Sequence, residues 1–139
     1  MKRTLMALVY LCLLFNGQAT FAQGPAYLCT PDDPDFEAYH YREHIPRCKR
    51  NVSESDKREV AARWGIPASE YKKYHYDHIV SLCVGGSNAL SNLQPRLPEK
   101  KLEKDKVEWA TCRAMDRGEM TQAEAVARLR SLRVDHPNQ

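Results

Sequence analysis

Apolar and polar positions recur with a helical period in three stretches of this chain. In the first, residues 54–64, Val60, Ala61 and Trp64 lie on one face, and Ser53 precedes them as a helix N-cap. A glycine follows directly, and glycine commonly ends a helix. The pattern therefore predicts a helix over residues 54–64.

Two further helices are predicted closer to the C-terminal end. Residues 99–115 contain neither Gly nor Pro and carry spaced apolar side chains, which favours a partly buried helix. Thr121 and Glu124 have the spacing of a capping box, and an apolar face follows them. The members of that face are Ala125, Val126, Leu129 and Leu132.

Between these helices the pattern changes to that of an extended chain. Residues 74–83 are rich in aromatic and β-branched side chains and predict a strand. The run Gly-Gly-Ser-Asn at 85–88 predicts a turn, and residues 92–94 a second, short strand. The order strand, turn, strand, helix across 74–115 brings the end of the first strand close to the following helix. We expect a small α+β domain.

The beginning of the chain has the composition of a secretory signal. Lys2 and Arg3 give a basic start, an apolar run follows over residues 5–15, and small residues precede a cleavage point after Ala22. The apolar run is shorter than the roughly 20 residues that span a bilayer. We expect residues 1–22 to be a cleaved signal and the protein to be periplasmic or secreted, with an uncleaved anchor as the alternative.

The remaining chain divides by composition into two parts. Residues 23–52 are rich in proline and acidic side chains and predict a turn-rich N-terminal arm, whereas residues 53–139 carry the periodic segments. Removal of residues 1–22, which contain two basic and no acidic residues, lowers the formal net charge from +3 to +1. So small a charge does not by itself indicate a nucleic-acid-binding protein.

Four cysteines remain after the signal, and an exported chain of this kind is expected to form two disulfides. Three pairings are possible. We favour Cys29 with Cys48 and Cys83 with Cys112, because each pair then stays within one local unit. No Cys-x-x-Cys spacing occurs, so a structural zinc site is the weaker alternative.

The candidate chemistry lies in the segment Tyr74-His75-Tyr76-Asp77-His78. A histidine with a near-neutral pKa can take a proton from water, and a carboxylate beside it can bind a hard divalent cation. Together these groups suit phosphodiester hydrolysis, which needs an activated water and neutralised phosphate charge. An Asp-His pair alone is common, and it is equally typical of a surface pair or a buried structural histidine.

The longer stretch from Asp77 to Pro95 resembles the core of the HNH endonucleases. That family has an Asp-His pair, small apolar residues, a Gly-Gly turn and Asn-Leu-Gln-Pro or a close variant, and a Lys-Asp pair on the next helix. In this chain, residues 77–95 contain the first four of these features in the same order. Lys104-Asp105 supplies the fifth. The resemblance covers residues 74–110 and implies a small ββα-metal core, with flanking helices and the disulfide-held arm around it.

The resemblance also implies roles for individual residues. His78 matches the general base and Asp77 a ligand of one divalent metal ion, of which Mg, Mn, Ni and Zn are the candidates. Asn92 matches the middle Asn of the family, whose side chain braces the hairpin and orients the catalytic histidine. Without the resemblance, Asn92 would be interpreted as a turn-capping residue.

The chain departs from the family pattern on the helix, where a His or Asn often completes the metal site. Lys101 stands there instead, and a protonated ammonium cannot ligate a metal. Glu99, Glu103 and His75 are the substitute ligands that we consider. Lys101 and Lys104 are candidate phosphate contacts, although a helix with interleaved charges is ordinarily just a solvated face.

Two functions remain open at this point. The first is a metal-dependent endonuclease that hydrolyses DNA, with RNA as a second substrate class, outside the cytoplasm. The second is a catalytically inactive, disulfide-stabilised binding module with an HNH-like shape. The intact Asp77, His78 and Asn92 favour the enzyme, and the missing third ligand and the low net charge favour the module.

Overall fold

The computed structural model describes residues 25–134. The expected signal segment, residues 1–22, lies outside the described residues. The described chain is an α+β fold with two small antiparallel sheets and three helices, which confirms the predicted class. Its elements are β1 (Phe36–His40), β2 (Ile45–Cys48), α1 (Glu54–Arg63), β3 (His75–His78), β4 (Leu93–Arg96), α2 (Pro98–Asp116) and α3 (Gln122–Arg130).

All three predicted helices are present, and α1 and α2 begin and end within about one residue of their expected bounds, a normal tolerance for helix boundaries. α3 begins after its expected cap and ends at Arg130, two residues before Leu132 of the expected face. The side chain of Ser53 accepts a hydrogen bond from the Asp56 N–H, and the carboxylate of Asp56 accepts one from the Ser53 N–H. Thr121 and Glu124 form the same reciprocal cap at the start of α3. These local caps explain why sequence spacing located the helix starts correctly.

The predicted strand over 74–83 is shorter in the structure. β3 pairs with β4 only from His75, opposite Arg96, to His78, opposite Leu93. Beyond His78 the chain bends into a 3₁₀ turn at Leu82–Val84, so the prediction was too long at its C-terminal end. The apolar residues that suggested a longer strand instead pack into the core.

The turn between β3 and β4 is tightly packed against the end of β3. Gly85 has a φ of +89°, which suits glycine. A Cβ at Gly86 would lie 1.8 Å from the Val80 carbonyl oxygen, so the chain can approach this closely only at glycine. The Gly-Gly pair therefore shapes the hairpin that carries the candidate site.

The N-terminal arm has the expected turns, and it also contains a hairpin that the sequence interpretation did not predict. β1 and β2 form an antiparallel hairpin, with Phe36 opposite Cys48 and His40 opposite Ile45. The middle of β1 is exposed on both faces, so it lacks the apolar alternation by which a strand is recognised. β1 is held by its backbone hydrogen bonds to β2, and β2 is itself held by its buried side chains.

Two apolar clusters hold the β3–β4 hairpin between them. One joins β2 and the turn after β3 to the helices α2 and α3, through Ile45, Val80, Val84, Met115, Ala125 and Leu129. The other joins α1 to the hairpin itself, through Val60, Ala61, Ile66, Tyr71, Tyr76 and Leu93. The hairpin is thus fixed on both sides, as a site that must hold its geometry requires.

Both predicted disulfides are confirmed. Cys29 bonds to Cys48 at the end of β2, and Cys83 in the 3₁₀ turn bonds to Cys112 on α2. The first ties the arm to its own hairpin, and the second ties α2 to the hairpin turn. Among the described helices, none is long and apolar enough to cross a membrane.

Replacing Cys83 and Cys112 together by alanine is expected to lower the free energy of unfolding by about 2–4 kcal/mol, because the unfolded chain gains the freedom that the cross-link removes. Urea denaturation followed by circular dichroism would measure this. The matched variant lacks Cys29 and Cys48. These two cysteines are 19 residues apart, whereas Cys83 and Cys112 are 29 apart, so the Cys29–Cys48 bond closes the shorter loop. Free thiols in the native wild-type protein would contradict the prediction.

Candidate active site

His78 ends β3 and is almost wholly buried, with 3% of its surface exposed. Each ring nitrogen has a partner. Nε2 lies 3.1 Å from the Oδ1 of Asn88, and Nδ1 lies 3.1 Å from the Nη1 of Arg50. The second terminal nitrogen of Arg50, Nη2, donates to the Tyr76 carbonyl at 2.9 Å, and this bond orients the guanidinium toward the imidazole.

The surroundings of Asn88 determine which tautomer His78 adopts. The amide nitrogen of Asn88 donates to Asp35 Oδ2 at 2.9 Å and to the Lys49 carbonyl at 2.8 Å. Its oxygen is therefore the atom that faces His78 Nε2, which must carry the proton and donate. An arginine only donates, so Nδ1 presents its lone pair to Arg50. The arrangement favours a neutral imidazole protonated on Nε2.

Burial of the ring, more than any other cause, lowers the pKa of His78, and the positive charges of Arg50 and Lys104 lower it further. The hydrogen bond to Asn88 and the charge of Asp77 act in the opposite direction but do not cancel the shift. His78 is thus in its basic, unprotonated form at neutral pH. A general base needs this form.

Asn92 is fully buried and braces the hairpin, as its place in the family resemblance implies. Its Oδ1 accepts from the Val80 N–H at 2.9 Å, and its Nδ2 donates to the carbonyls of Val80 and Ser87 at 3.0 and 2.8 Å. Its backbone carbonyl accepts from the Ile79 N–H at 2.7 Å. These bonds hold the chain next to His78, but the Asn92 side chain bonds to backbone atoms and not to the imidazole.

Asp77 lies beside a buried lysine of α2. Lys104, 2% exposed, places its Nζ 2.8 Å from Asp77 Oδ2 and 2.8 Å from Glu108 Oε2. The contact with Asp77 has the length of a hydrogen bond but not its angles, and no other described residue donates to that oxygen. We interpret it as an ion pair. Lys104 is therefore engaged inside the protein and does not project toward solvent.

Two further carboxylates, Asp105 and Glu108, lie close to Asp77, and one oxygen from each of the three lies within 4.8 Å of the other two. The predicted ligands Glu99 and Glu103 are exposed on α2, and neither belongs to this group or to another possible metal-binding group in the described chain. A divalent ion prefers such oxygens. Here, however, the ammonium of Lys104 already lies against two of the three carboxylates, so the group does not fit a metal ion as it is arranged.

A cleft of about 440 Å³ opens beside these residues. Arg50, Lys57 and Lys101 supply its positive charges, and both lysines already have an ion-pair partner, Glu54 for Lys57 and Asp105 for Lys101. His75, which is exposed, shares this cleft with Asp77, as expected for residues two apart on a strand. The remaining lining residues are Tyr74, Tyr76, Asp105 and Glu108.

Sequence reasoning missed Arg50, Asn88 and Asp35, which surround His78, and also Lys57 and Glu108, which line the cleft. Arg50 and Asp35 belong to the arm, and neither has a motif or a spacing that points to His78. Asn88 was interpreted only as part of the turn. Arg50 and Asp35 lie in or beside the β1–β2 hairpin, and no local sequence pattern shows that this hairpin packs against His78.

The chain matches no protein family, no curated protein and no solved structure. The resemblance to the HNH endonucleases therefore rests on the sequence motif alone.

Proposed function

We propose that this protein is an endonuclease of the HNH type that hydrolyses phosphodiester bonds of DNA, with RNA as a second substrate class. The observation that carries the proposal is His78. It is a neutral imidazole fixed at the end of the first strand of a ββα unit, with its lone pair toward the arginine of a cleft that also holds two lysines. A phosphate-binding surface directly beside a base of suitable pKa is what this hydrolysis requires.

In this proposal the scissile phosphate binds to Arg50, Lys57 and Lys101. A guanidinium binds phosphate oxygens through two parallel hydrogen bonds, so the phosphate competes with His78 for Arg50. Nδ1 is then available to a water molecule. As the water oxygen bonds to phosphorus, its proton passes to Nδ1 and the bond to the leaving sugar oxygen breaks, with a solvent proton neutralising that oxygen.

The divalent ion that the resemblance implies stays a prediction. Asp77, Asp105 and Glu108 would be its ligands by proximity, but Lys104 lies among them. The proposed hydrolysis itself uses no metal ion. Disulfides persist in oxidising compartments, and the two disulfides support our proposal that the protein acts in the periplasm or after secretion.

The inactive binding module remains the second candidate, and one observation favours it. Both ring nitrogens of His78 already have partners, so the base is blocked until Arg50 moves. If Arg50 does not move when phosphate binds, the cleft would hold nucleic acid without cleaving it.

Incubation of the disulfide-intact protein with supercoiled plasmid, linear single-stranded DNA and RNA tests the proposal. We expect nicking or fragmentation that increases with protein concentration, in buffers with Mg²⁺, with Mn²⁺ and with EDTA. Arg50→Lys should cleave more slowly, because an ammonium does not reproduce the two-pronged phosphate contact. Binding of these substrates without cleavage under any condition would support the inactive module instead.

A further inference from the structure

Lys104 is unusual among the charged residues of α2 because it is buried, whereas its neighbours Glu103 and Lys106 are exposed. An unpaired ammonium in such a place would be strongly unfavourable, and proteins keep one there only with opposite charges around it. The Asp77 and Glu108 carboxylates provide those charges at 2.8 Å each. The contact with Asp77 joins α2 to β3, next to the candidate base.

The same carboxylates would otherwise repel one another. Oxygens of Asp77, Asp105 and Glu108 lie within 4.8 Å of each other, and a cation among them offsets the repulsion between their negative charges. Lys104 and Lys101 contact these three carboxylates directly with two positive charges, and the buried guanidinium of Arg96 adds a third charge at longer range, toward Asp77 and Asp105. A divalent ion would need the same oxygens and would lie a few ångströms from the ammonium, which would repel it.

We infer that the ammonium of Lys104 is the resident cation of this carboxylate group, and that it takes the place of the divalent ion expected from the HNH resemblance. The wild-type protein then binds no divalent ion at Asp77. Loss of the Lys104 charge turns the same three carboxylates into a divalent-ion site. As a statement about catalysis this inference rests on the proposed function, but as a statement about ion binding it does not.

Titration of the wild-type protein with Mn²⁺, followed by electron paramagnetic resonance of the free ion, is the first test. We expect no saturable binding below about 1 mM, the weak end of protein sites for hard divalent ions. Saturable binding at lower concentration that disappears in Asp77→Asn would overturn the inference. This titration needs no substitution at Lys104, so it decides which cation the carboxylates hold even if a variant at Lys104 fails to fold.

The second test is Lys104→Met, which keeps a long unbranched side chain and removes the charge. Lys104→Met should bind Mn²⁺ with a Kd of about 0.1 mM or lower, at least about tenfold below the roughly 1 mM up to which the wild type shows no saturation, because the repelling charge is gone. Adding Asp77→Asn should remove the gain. Lys106→Met, an exposed lysine of the same helix, is the matched control and should behave as wild type. A folded Lys104→Met protein that gains no Mn²⁺ binding would contradict the inference.

The cleavage assay separates this inference from the proposed function. Cleavage that continues in EDTA supports both. Cleavage that EDTA abolishes, together with Mn²⁺ binding at Asp77 in the wild type, overturns the role of Lys104 and leaves the nuclease standing. Absence of all cleavage removes the proposed function, while the Mn²⁺ titrations still decide which cation the carboxylates hold.

Discussion

Replacement of His78 by alanine is expected to reduce the rate of phosphodiester cleavage at least about a hundredfold, the low end of what a general base contributes. Substrate affinity should change little, because it comes mainly from phosphate contacts made by basic side chains. Initial rates on plasmid and filter binding of the same DNA measure the two effects separately. The inactive-module alternative predicts no cleavage in either protein.

His75→Ala is the matched comparison, since His75 lies on the same strand and lines the same cleft but is exposed. It should keep most of the rate. A His78→Ala protein that cleaves as fast as wild type would show that another residue is the base, and the role assigned by resemblance would be wrong.

The pH profile gives an independent check on the same residue. His78 acts as a base only when unprotonated, and burial together with Arg50 and Lys104 lowers its pKa from the ordinary 6.5, against the opposing effects of Asn88 and Asp77. The rate should therefore rise with pH on the acid side of 6.5 and already be level at neutral pH. A rate that rises mainly above neutral pH would point to a different base.

Asn92→Ala is expected to lower the free energy of unfolding by about 3 kcal/mol or more. The substitution leaves the Val80 N–H, the Val80 carbonyl and the Ser87 carbonyl without their partner, and each buried unsatisfied group costs about 1–3 kcal/mol. Water cannot readily replace the amide, because Asn92 is fully buried. Urea denaturation of the two proteins measures the difference.

Asn51→Ala serves as the control for this substitution. Asn51 is exposed, and its side chain donates to Asp35, so its removal should change stability by less than about 1 kcal/mol. Asn92→Asp should be at least as destabilising as Asn92→Ala, because it loses both donors and places a buried carboxyl group against the Val80 and Ser87 carbonyl oxygens. If Asn92→Ala is no more harmful than Asn51→Ala, Asn92 does not brace the hairpin.

The features that the sequence determined by itself are those whose cause is local. The helix starts at Ser53 and Thr121 depend on side chains three residues away, so their spacing is visible in the chain. The turn between β3 and β4 depends on adjacent glycines, of which Gly86 admits no side chain. The disulfide pairing also followed from nearness along the chain, because the closure of short loops is entropically easier.

The candidate base could be located for the same reason, as Asp77, His78 and Asn92 form one continuous motif. Where a pattern was ambiguous, the prediction failed. The apolar residues after His78 were interpreted as a continuation of the strand. In the structure the chain turns after His78, and Val80 and Val84 pack into the core from this turning segment. Burial and not strand pairing explains their apolar character, and periodicity over so few residues does not separate the two.

The tertiary structure alone decided what surrounds the base. Arg50 reaches His78 across 28 residues of chain, and Asp35 is 53 residues from Asn88, so their meeting depends on how the arm packs and not on any spacing. The burial and the ion pairs of Lys104 likewise could not be predicted from the sequence. In the sequence it is one of several lysines on a charged helix, and only the packing of α2 against β3 makes it a buried cation between two carboxylates. Burial changes the electrostatic consequence of a charge, and burial is a property of the whole fold.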